Sequence, residues 1–398
     1  MLSSALLRAS ALALFSNQVA ASPLTERSAN PAAIYHGLTA SALIPWAEEH
    51  MEHGSYNFAQ DPHVKVTLNN QATTYRANID TGSSAFLIGS DVYPGFDDAA
   101  FNAAYQNGTE YLSSSNKLYT GYWVPTAVHF IDGHVTTQVK TLVVTKSVDC
   151  TDYDEAVGGA CPAQQVTGVN CDMNCTLTYM GIGFGRSNDG QSDVTPANNA
   201  LLNVTSIVNK PVPTNYRPGY IITSKGITVG ISHRDSTGFK LVKLQRTSRK
   251  LPHDWQGVTG CISVTYPGTD KGTGACVTSQ ILLDTGIPQS YLVLTTAAGL
   301  SNWIKPSGYP DVLKYQYLPT GSEVSITFGE QDKNGHITPE AKYSYQVGAN
   351  SISTPSYARA RLNETAGALG FVNTGRYFYR LNDILFDAEG GYWGIRSR

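Results

Sequence analysis

Two copies of the triplet Asp-Thr-Gly are the residues of this sequence best suited to carry out chemistry. One copy begins at Asp80 and the other at Asp284, in opposite halves of the chain. Each follows an apolar stretch of the kind that forms a β-strand. A single triplet would arise by chance in roughly one chain of this length in ten. Two copies in the same context indicate two similar lobes, each of which brings one carboxylate to a shared cleft.

Carboxylates held as a close pair have a distinct chemistry. They cannot both ionise cheaply, so they share one proton. The ionised carboxylate can take a proton from water, while the neutral one donates a proton to a carbonyl oxygen. The glycine of each triplet permits a tight turn, and the threonine hydroxyl can hydrogen-bond to the opposite loop. The alternative is that both triplets are ordinary type I turns. The residues expected to support the catalytic loops are Thr81, Gly82, Ser83, Thr285 and Gly286.

An apolar segment that contains glycine follows each triplet. Residues 180–185 have the sequence Met-Gly-Ile-Gly-Phe-Gly, and residues 368–371 have the sequence Ala-Leu-Gly-Phe. Glycine in a strand allows another backbone to approach closely. The order of triplet, glycine segment, triplet and glycine segment resembles that of the pepsin-like aspartic peptidases. The resemblance covers most of the chain after about residue 56.

The resemblance implies an all-β, bilobal fold, a double β-barrel or sandwich with a central cleft. Residues 56–215 would form the first lobe and residues 216–398 the second. It also implies a secreted aspartic endopeptidase in which Asp80 and Asp284 activate a water molecule by general acid–base catalysis, without a cofactor or a metal ion. The implied partner is a polypeptide substrate in the cleft. We expect a monomer that binds neither nucleic acid nor a membrane.

Hydroxyl groups near the two aspartates match the family pattern only in part. Ser83 matches the hydroxyl that bonds the first aspartate, but Ile287 stands where the family usually has Thr or Ser after the second. We therefore expect the outer oxygen of Asp284 to lack a donor. The loss of a donor to the charged form raises a carboxyl pKa.

The flap, a hairpin that closes over the cleft in this family, also departs from the pattern. Leu87 occupies the position of the tryptophan that usually bonds the flap tyrosine. Tyr119 is the best candidate for that tyrosine and Tyr122 the second, in a hairpin that we expect to be too short to reach as far. Both could instead be ordinary strand tyrosines. These losses predict a weak or selective peptidase.

A catalytically silent binding or inhibitor protein on the same fold is the alternative function. The altered flap, Leu87 and Ile287 favour it. The two intact triplets oppose it, because a binding protein does not need paired carboxylates. A structural wall protein would leave both triplets unused. The sequence contains no G-x-S-x-G motif, and its nine histidines form no H-E-x-x-H motif, so other hydrolytic chemistries have little support.

Composition favours a β-rich extracellular protein. The chain has 398 residues, a mass of 42.8 kDa and a net charge of −3. It is long enough for two lobes and has no basic excess that would point to nucleic acid or an anionic membrane. Only 15% of the residues are charged, whereas there are 37 glycines and 23 tyrosines.

We also expect a helix between Asn198 and Ile207.

The N-terminal segment is typical of a secretory signal. Arg8 precedes a short apolar run, and small residues at 19–21 offer a cleavage site before Ser22. The run is too short to span a membrane. We therefore expect residues 1–21 to be a signal peptide and the mature protein to be secreted and extracellular. Residues 22–55 are interpreted as a prosegment or a flexible leader, although they lack the basic character of prosegments in this family.

Six cysteines in a secreted chain favour disulfides. Cys261 and Cys276 flank a Pro-Gly turn region and are predicted to form one bridge. The remaining four are predicted to form two more, in a pairing that the sequence leaves open, and they lack the C-x-x-C pattern of a zinc site. These four are Cys150, Cys161, Cys171 and Cys175. The candidate glycosylation triplets begin at Asn107, Asn174, Asn203 and Asn363.

Overall fold

The computed structural model shows a protein built mainly of β-strands with short helices, which confirms the predicted all-β class. The predicted signal peptide, residues 1–21, lies outside the described residues, as do residues 184 and 185 of the first glycine segment. Within the described ranges, no helix is long and apolar enough to cross a membrane. The described residues are 29–47, 54–151, 153–154, 158–183, 194–247, 253–267, 276–295, 316–331, 337–363, 365 and 367–398.

The strands are numbered in chain order. The strands up to the middle of the chain are β1 Ala42–Pro45, β2 His63–Leu68, β3 Tyr75–Asp80, β4 Phe86–Gly89, β5 Gln106–Leu112, β6 Lys117–Phe130, β7 Val135–Cys150, β8 Val166–Asp172, β9 Thr178–Gly181, β10 Val204–Ile207 and β11 Lys210–Pro211. The later strands are β12 Gly219–Thr223, β13 Gly226–Val229, β14 Lys240–Lys243, β15 Val258–Thr265, β16 Val277–Leu282, β17 Ser290–Thr295, β18 Gln316–Tyr317, β19 Glu323–Gln331, β20 Ile337–Gln346, β21 Ala358–Asn363, β22 Gly370–Asn373, β23 Asn382–Asp387 and β24 Tyr392–Ser397. The helices are α1 Pro31–Ile34 and α2 Asp98–Ala104, and the 3-10 helices are Ala163–Gln165, Pro196–Asn198 and Arg376–Arg380.

Three sheets organise these strands in a bilobal arrangement. A ten-stranded sheet has the order β11-β10-β7-β4-β9-β3-β2-β6-β5, with β8 beside β7. An eight-stranded sheet has the order β18-β21-β17-β22-β16-β15-β19-β20. A six-stranded sheet, β1-β13-β12-β23-β24-β14, combines strands from the beginning, middle and end of the chain. The ten-stranded sheet carries the first triplet at the end of β3, and the eight-stranded sheet leads into the second from β16.

A continuous hydrophobic core joins the strands that carry the triplets. Ile79 precedes the first triplet, Leu283 precedes the second, and Trp393 comes from the closing strand β24; all three are buried in this core. Burial of a large apolar side chain stabilises the fold by about 1.5–3 kcal/mol. The two triplets are therefore attached to strands that pack together.

The hairpin of β2 and β3 presents the first triplet. Val64, Val66 and Ala77 are buried on its inner face. Asn69 and Asn70 form its turn with φ values of 49° and 60°. Asparagine tolerates this left-handed conformation better than most residues, so the chain can turn directly after Leu68. Residues 69–74 connect β2 to β3, and the pairing of Val66 with Tyr75 gives the register that brings Asp80 to the end of β3.

The segment before residue 48 is part of the fold, so a flexible leader is not a correct description of residues 29–47. Strand β1 pairs antiparallel with β13 at the edge of the six-stranded sheet. The side chain of Tyr35 is fully buried, and its hydroxyl donates to Asp387 Oδ2 at 3.1 Å. The indole of Trp46 donates to the carbonyl oxygen of Thr223 at 2.9 Å.

The prediction of a helix between Asn198 and Ile207 is wrong. Residues Pro196–Asn198 form a single 3-10 turn, and strand β10 starts at Val204. Asn199 explains the interruption, because its Oδ1 accepts the backbone N–H of Leu201 at 2.9 Å. Such local side-chain bonds compete with helix formation.

Three disulfides tie the surface strands together. Cys261 and Cys276 are bonded, as predicted. The other four cysteines form the pairs Cys150–Cys161 and Cys171–Cys175. Cys150 ends β7 and Cys171 lies in β8, which pairs with β7. These two bridges therefore fasten the loops at one edge of the ten-stranded sheet.

Candidate active site

Reciprocal hydrogen bonds between the two threonines join the triplets. The backbone N–H of Thr81 donates to Thr285 Oγ1 at 3.1 Å, and the N–H of Thr285 donates to Thr81 Oγ1 at 2.9 Å. Each hydroxyl also donates across to the opposite strand, from Thr81 to the carbonyl of Leu283 at 2.5 Å and from Thr285 to that of Ile79 at 2.8 Å. The buried hydroxyl of Tyr379 lies 3.2 Å from Thr81 Oγ1. These bonds fix the two loops relative to each other.

The structure brings the carboxyl groups of Asp80 and Asp284 within hydrogen-bonding reach of each other. Oδ1 of each accepts the backbone N–H of the glycine two residues later, Gly82 or Gly286, at 2.7 Å. A Cβ atom on Gly82 would lie 2.6 Å from Asp284 Cγ, and one on Gly286 would lie 2.6 Å from Asp80 Oδ1. Only glycine permits so close an approach of the loops.

A parallel strand lies beside each strand that leads to an aspartate. In the first lobe β9 runs beside β3 and aligns Tyr179 with Asn78, two residues before Asp80. In the second lobe β22 runs beside β16 and aligns Asn373 with Leu282, two residues before its aspartate. Tyr179 and Asn373 therefore occupy equivalent positions in the two lobes.

Both of these side chains donate to the outer oxygen, Oδ2, of the aspartate in their own lobe. The Tyr179 hydroxyl donates to Asp80 Oδ2. The Asn373 amide nitrogen donates to Asp284 Oδ2 at 2.6 Å. The orientation of that amide is determined, because its Oδ1 accepts the backbone N–H of Gly375 at 3.0 Å. Each aspartate thus accepts a backbone donor on one oxygen and a side-chain donor on the other.

Two expectations about these outer oxygens are wrong. Asp284 does not lack a donor beside Ile287, because Asn373 supplies one from the neighbouring strand. Ser83 does not bond the first aspartate directly, since its hydroxyl donates to the oxygen of Tyr179 at 3.2 Å. The signal that could have identified both donors is a polar residue on the strand that runs parallel to each catalytic strand.

Burial and charge favour the protonated form of Asp284. Burial in the cleft, followed by the charge of Asp80, raises the pKa of Asp284 well above its ordinary value, although the donors Asn373 and Gly286 act in the opposite direction. Burial and the same charge raise the pKa of the Tyr179 hydroxyl well above its ordinary value. Tyr179 therefore stays protonated and remains a donor.

The aspartates open into a cavity of about 680 Å³ between the two lobes. The hairpin of β5 and β6 forms one wall, and its tip, residues 113–116, lines the cavity. All seven residues of β5 pair with β6. The hairpin therefore reaches the cavity, and its shorter reach relative to the flap of pepsin-like peptidases stays a prediction. The cavity wall of the second lobe is formed by Ile287, Tyr291, Arg359, Arg361 and Phe371.

Tyr119 lies on the cavity side of this hairpin. It lines the cavity and packs against a small buried cluster that includes Leu87 and Trp123. Burial, with the nearby charges of Glu110 and Asp149, raises the pKa of its hydroxyl to about 12. An indole from the hairpin, Trp123, thus shares the cluster of Leu87, which stands at the usual tryptophan position.

Tyr122 lies in a different environment from Tyr119. It belongs to the main core, and its hydroxyl donates to Asp98 Oδ1 at 2.8 Å. The structure therefore places only the first of the two candidate flap tyrosines at the cavity.

No model of a protein family matches this chain, and no curated protein matches it. The function must therefore be inferred from the site itself.

Proposed function

We propose that this protein is a secreted aspartic endopeptidase of the pepsin-like kind. The observation that carries the proposal is the pair of hydrogen-bonded carboxyl groups, Asp80 and Asp284, at the floor of a cavity between two lobes. Two carboxyl groups that share one proton provide a base and an acid in the same place. Peptide hydrolysis by water requires both.

The asymmetric pair defines the roles of the two aspartates. Ionised Asp80 takes a proton from a water molecule, which attacks the peptide carbonyl carbon. Protonated Asp284 donates its proton to the carbonyl oxygen, so a neutral tetrahedral diol forms without a covalent bond to the enzyme. Proton transfer to the amide nitrogen then allows the C–N bond to break and releases a carboxylic acid and an amine. General acid–base catalysis of this type contributes on the order of 10²–10⁴-fold.

The surrounding residues support the orientation that this reaction needs. Gly82 and Gly286 hold the inner oxygens, while Tyr179 and Asn373 hold the outer ones. Carboxyl groups fixed on both oxygens lose little freedom when substrate binds, and misplacement by about 1 Å can reduce a rate on the order of a hundredfold. The alternative of a silent binding protein loses one of its supports, because the replacement at Ile287 is compensated by Asn373.

Hydrolysis of a denatured protein from acidic to neutral pH tests the proposal. We expect cleavage at acidic pH that a transition-state-mimicking inhibitor of aspartic peptidases abolishes. Asp80→Asn and Asp284→Asn should each remove nearly all turnover while circular dichroism stays unchanged. Asp132→Asn is the matched control, because that carboxylate is 40% exposed and pairs with Lys65 on the surface. Full activity in either catalytic variant would overturn the proposal.

A further inference from the structure

One row of side chains crosses the eight-stranded sheet from the second aspartate to the rim of the cavity. Asn373, which holds Asp284, is aligned with Tyr291 on the next strand. Tyr291 is aligned with Arg359 on β21, and Arg359 with Tyr317 on β18. Aligned residues on neighbouring strands point to the same face of a sheet. The row therefore connects the proposed catalytic pair to an arginine.

The spacing of the strands sets the distance of Arg359 from the reaction centre. Neighbouring strands lie about 4.8 Å apart, and two such steps separate Arg359 from Asn373. The arginine backbone is therefore displaced by about 10 Å along the cavity wall. An extended peptide rises by about 3.3 Å per residue, so this distance corresponds to roughly three substrate residues.

Aromatic rings hold the guanidinium of Arg359 in place. Its Cζ lies 4.2 Å from the centre of the Tyr317 ring and 5.1 Å from that of Tyr357. One of its nitrogens donates to the Tyr317 hydroxyl. The hydrogen bond to Tyr317 raises the pKa of the arginine, so its charge is constant at any pH of interest. Among the described residues, no carboxylate forms an ion pair with it.

The wall of the second lobe is basic near this position. Arg361 lies two residues further along β21, on the same face as Arg359, and also lines the cavity. The titratable groups that face Arg359 are the hydroxyls of Tyr291, Tyr317 and Tyr357. Arginine presents a planar fork of donors that matches the geometry of a carboxylate.

The wall of the first lobe, unlike that of the second, includes acidic side chains. Glu110 of the hairpin and Asp61 line the cavity on that side. Asp61 pairs with Arg376, and Lys117, the first residue of β6, also lines the cavity. An extended chain that crosses the cavity would therefore place an acidic side chain most favourably against the second lobe.

We propose that the cleft selects polypeptides that carry Asp or Glu about three residues from the scissile bond, with the substrate carboxylate bound by Arg359. The proposal rests on the proposed peptidase function, and it names the substrate class of that site. Arg359 binds substrate away from the reacting atoms, so its effect depends on the charge of the substrate.

Matched peptide sets test the proposal. Each pair differs only by Glu or Gln at one position on either side of the cleavage site, and kcat/KM is measured for each peptide. We expect the parent to prefer Glu by roughly tenfold at one position. Arg359→Gln should remove that preference, and Arg359→Glu should reverse it in favour of Gln. Arg234→Gln is the control, since it removes an equal charge from a side chain that is 88% exposed and pairs with Asp235 outside the cavity.

The pH dependence of the preference separates ion pairing from a change in shape. A substrate glutamate ionises near its ordinary pKa of about 4.3. The preference for Glu over Gln should therefore grow as the pH rises through this value in the parent and stay flat in Arg359→Gln. Salt should weaken it, because screening acts on exposed charges.

The outcomes distinguish this proposal from the one on which it rests. Cleavage with a Glu preference that Arg359→Gln abolishes supports it. Cleavage without such a preference, or with one that Arg359→Gln leaves unchanged, overturns it and leaves the peptidase function intact. Failure to cleave any peptide at any pH overturns the peptidase function and this proposal with it.

Discussion

At the scale of single residues, the two aspartates have matching backbone donors and different side-chain donors. A phenol serves Asp80 and an amide serves Asp284, each from the equivalent position of a parallel strand. A hydrogen bond to a charged group is worth about 1.5–3 kcal/mol. Both outer oxygens therefore accept a side-chain donor, but the chemistry of that donor differs between the lobes.

Tyr179→Phe should impair catalysis and move the acidic limb of the pH profile. Loss of a donor to the ionised form raises the lower of the two macroscopic pKa values of the pair. We expect kcat/KM to fall by roughly 10- to 100-fold and its acidic limb to shift to higher pH. The control is Tyr122→Phe, which removes a hydroxyl that bonds Asp98 in the main core. An unshifted acidic limb would mean that Tyr179 does not act on Asp80.

The substitution Ile287→Thr should compensate in part for the loss of the Asn373 donor. Ile287→Thr alone should change kcat/KM by less than about threefold, because Asp284 Oδ2 already has a donor, whereas Asn373→Leu should cost roughly 10- to 100-fold. In the double variant the threonine hydroxyl can replace the lost donor, so part of the activity should return. A double-mutant cycle measures this coupling. Strict additivity of the two effects would contradict it.

The two aspartates can be predicted from the sequence, whereas their side-chain donors cannot, and the reason is physical. Asp80 and Asp284 belong to a short, repeated sequence motif that can be recognised without knowledge of the fold. Tyr179 and Asn373 lie 99 and 89 positions from the aspartates they bond. Only the register of parallel strands brings them there, and that register is set by packing rather than by a local pattern. The threonine bonds could be predicted because they belong to the triplets themselves.

At the scale of elements, the hairpin of β5 and β6 shows why part of the cavity wall is hard to predict from the sequence. Strand β5 carries few of the alternating apolar residues that mark a strand. The Asn-Gly-Thr-Glu sequence at 107–110 instead suggests a turn. Pairing with the long strand β6, and not local propensity, fixes this segment as a strand.

Tyr119→Phe should have little effect on activity. Its ring packs against the cluster with Trp123 and Leu87, and no described residue bonds its hydroxyl. We expect kcat/KM on one peptide to change by less than about threefold, whereas Tyr119→Ala should cost more, because it removes packing from the hairpin. A loss of several hundredfold in Tyr119→Phe would identify the hydroxyl as a working part of the flap.

The N-terminal strand should contribute to the stability of the mature protein. Trp46, which directly follows β1, is buried and bonded to Thr223, whereas Leu43 within β1 is 44% exposed. Trp46→Ala should lower the free energy of unfolding by about 3–5 kcal/mol, and Leu43→Ala by much less. Denaturant unfolding of the purified protein measures both. Equal and negligible effects would indicate that residues 29–47 are removed as a prosegment.

At the scale of the whole molecule, the two lobes meet at a pair of carboxyl groups. Ionisation of both groups as the pH rises lowers the stability of the folded protein. The sequence predicts two lobes from the repeat of the triplets. The six-stranded sheet is not apparent from the sequence, because its strands come from three distant parts of the chain. Reciprocal bonds between the threonines hold the loops of Asp80 and Asp284 together.

Asp284→Asn should therefore become more stable relative to the parent as the pH rises. The pKa of Asp284 is raised on folding above its ordinary value of 3.8, so the folded state binds this proton more tightly than the unfolded state. The resulting stabilisation is fully present below 3.8 and is lost as the pH rises through the raised folded value. Asparagine cannot ionise, so the variant lacks this loss.

The readout is the difference in Tm between Asp284→Asn and the parent, measured from acidic to neutral pH. Altered hydrogen bonding in the variant adds an offset that is independent of pH, so the slope carries the information. We expect the difference to grow with pH. Parallel curves for Asp284→Asn and the parent would mean that folding leaves the pKa of Asp284 unchanged, and the assignment of the shared proton to this residue would then be wrong.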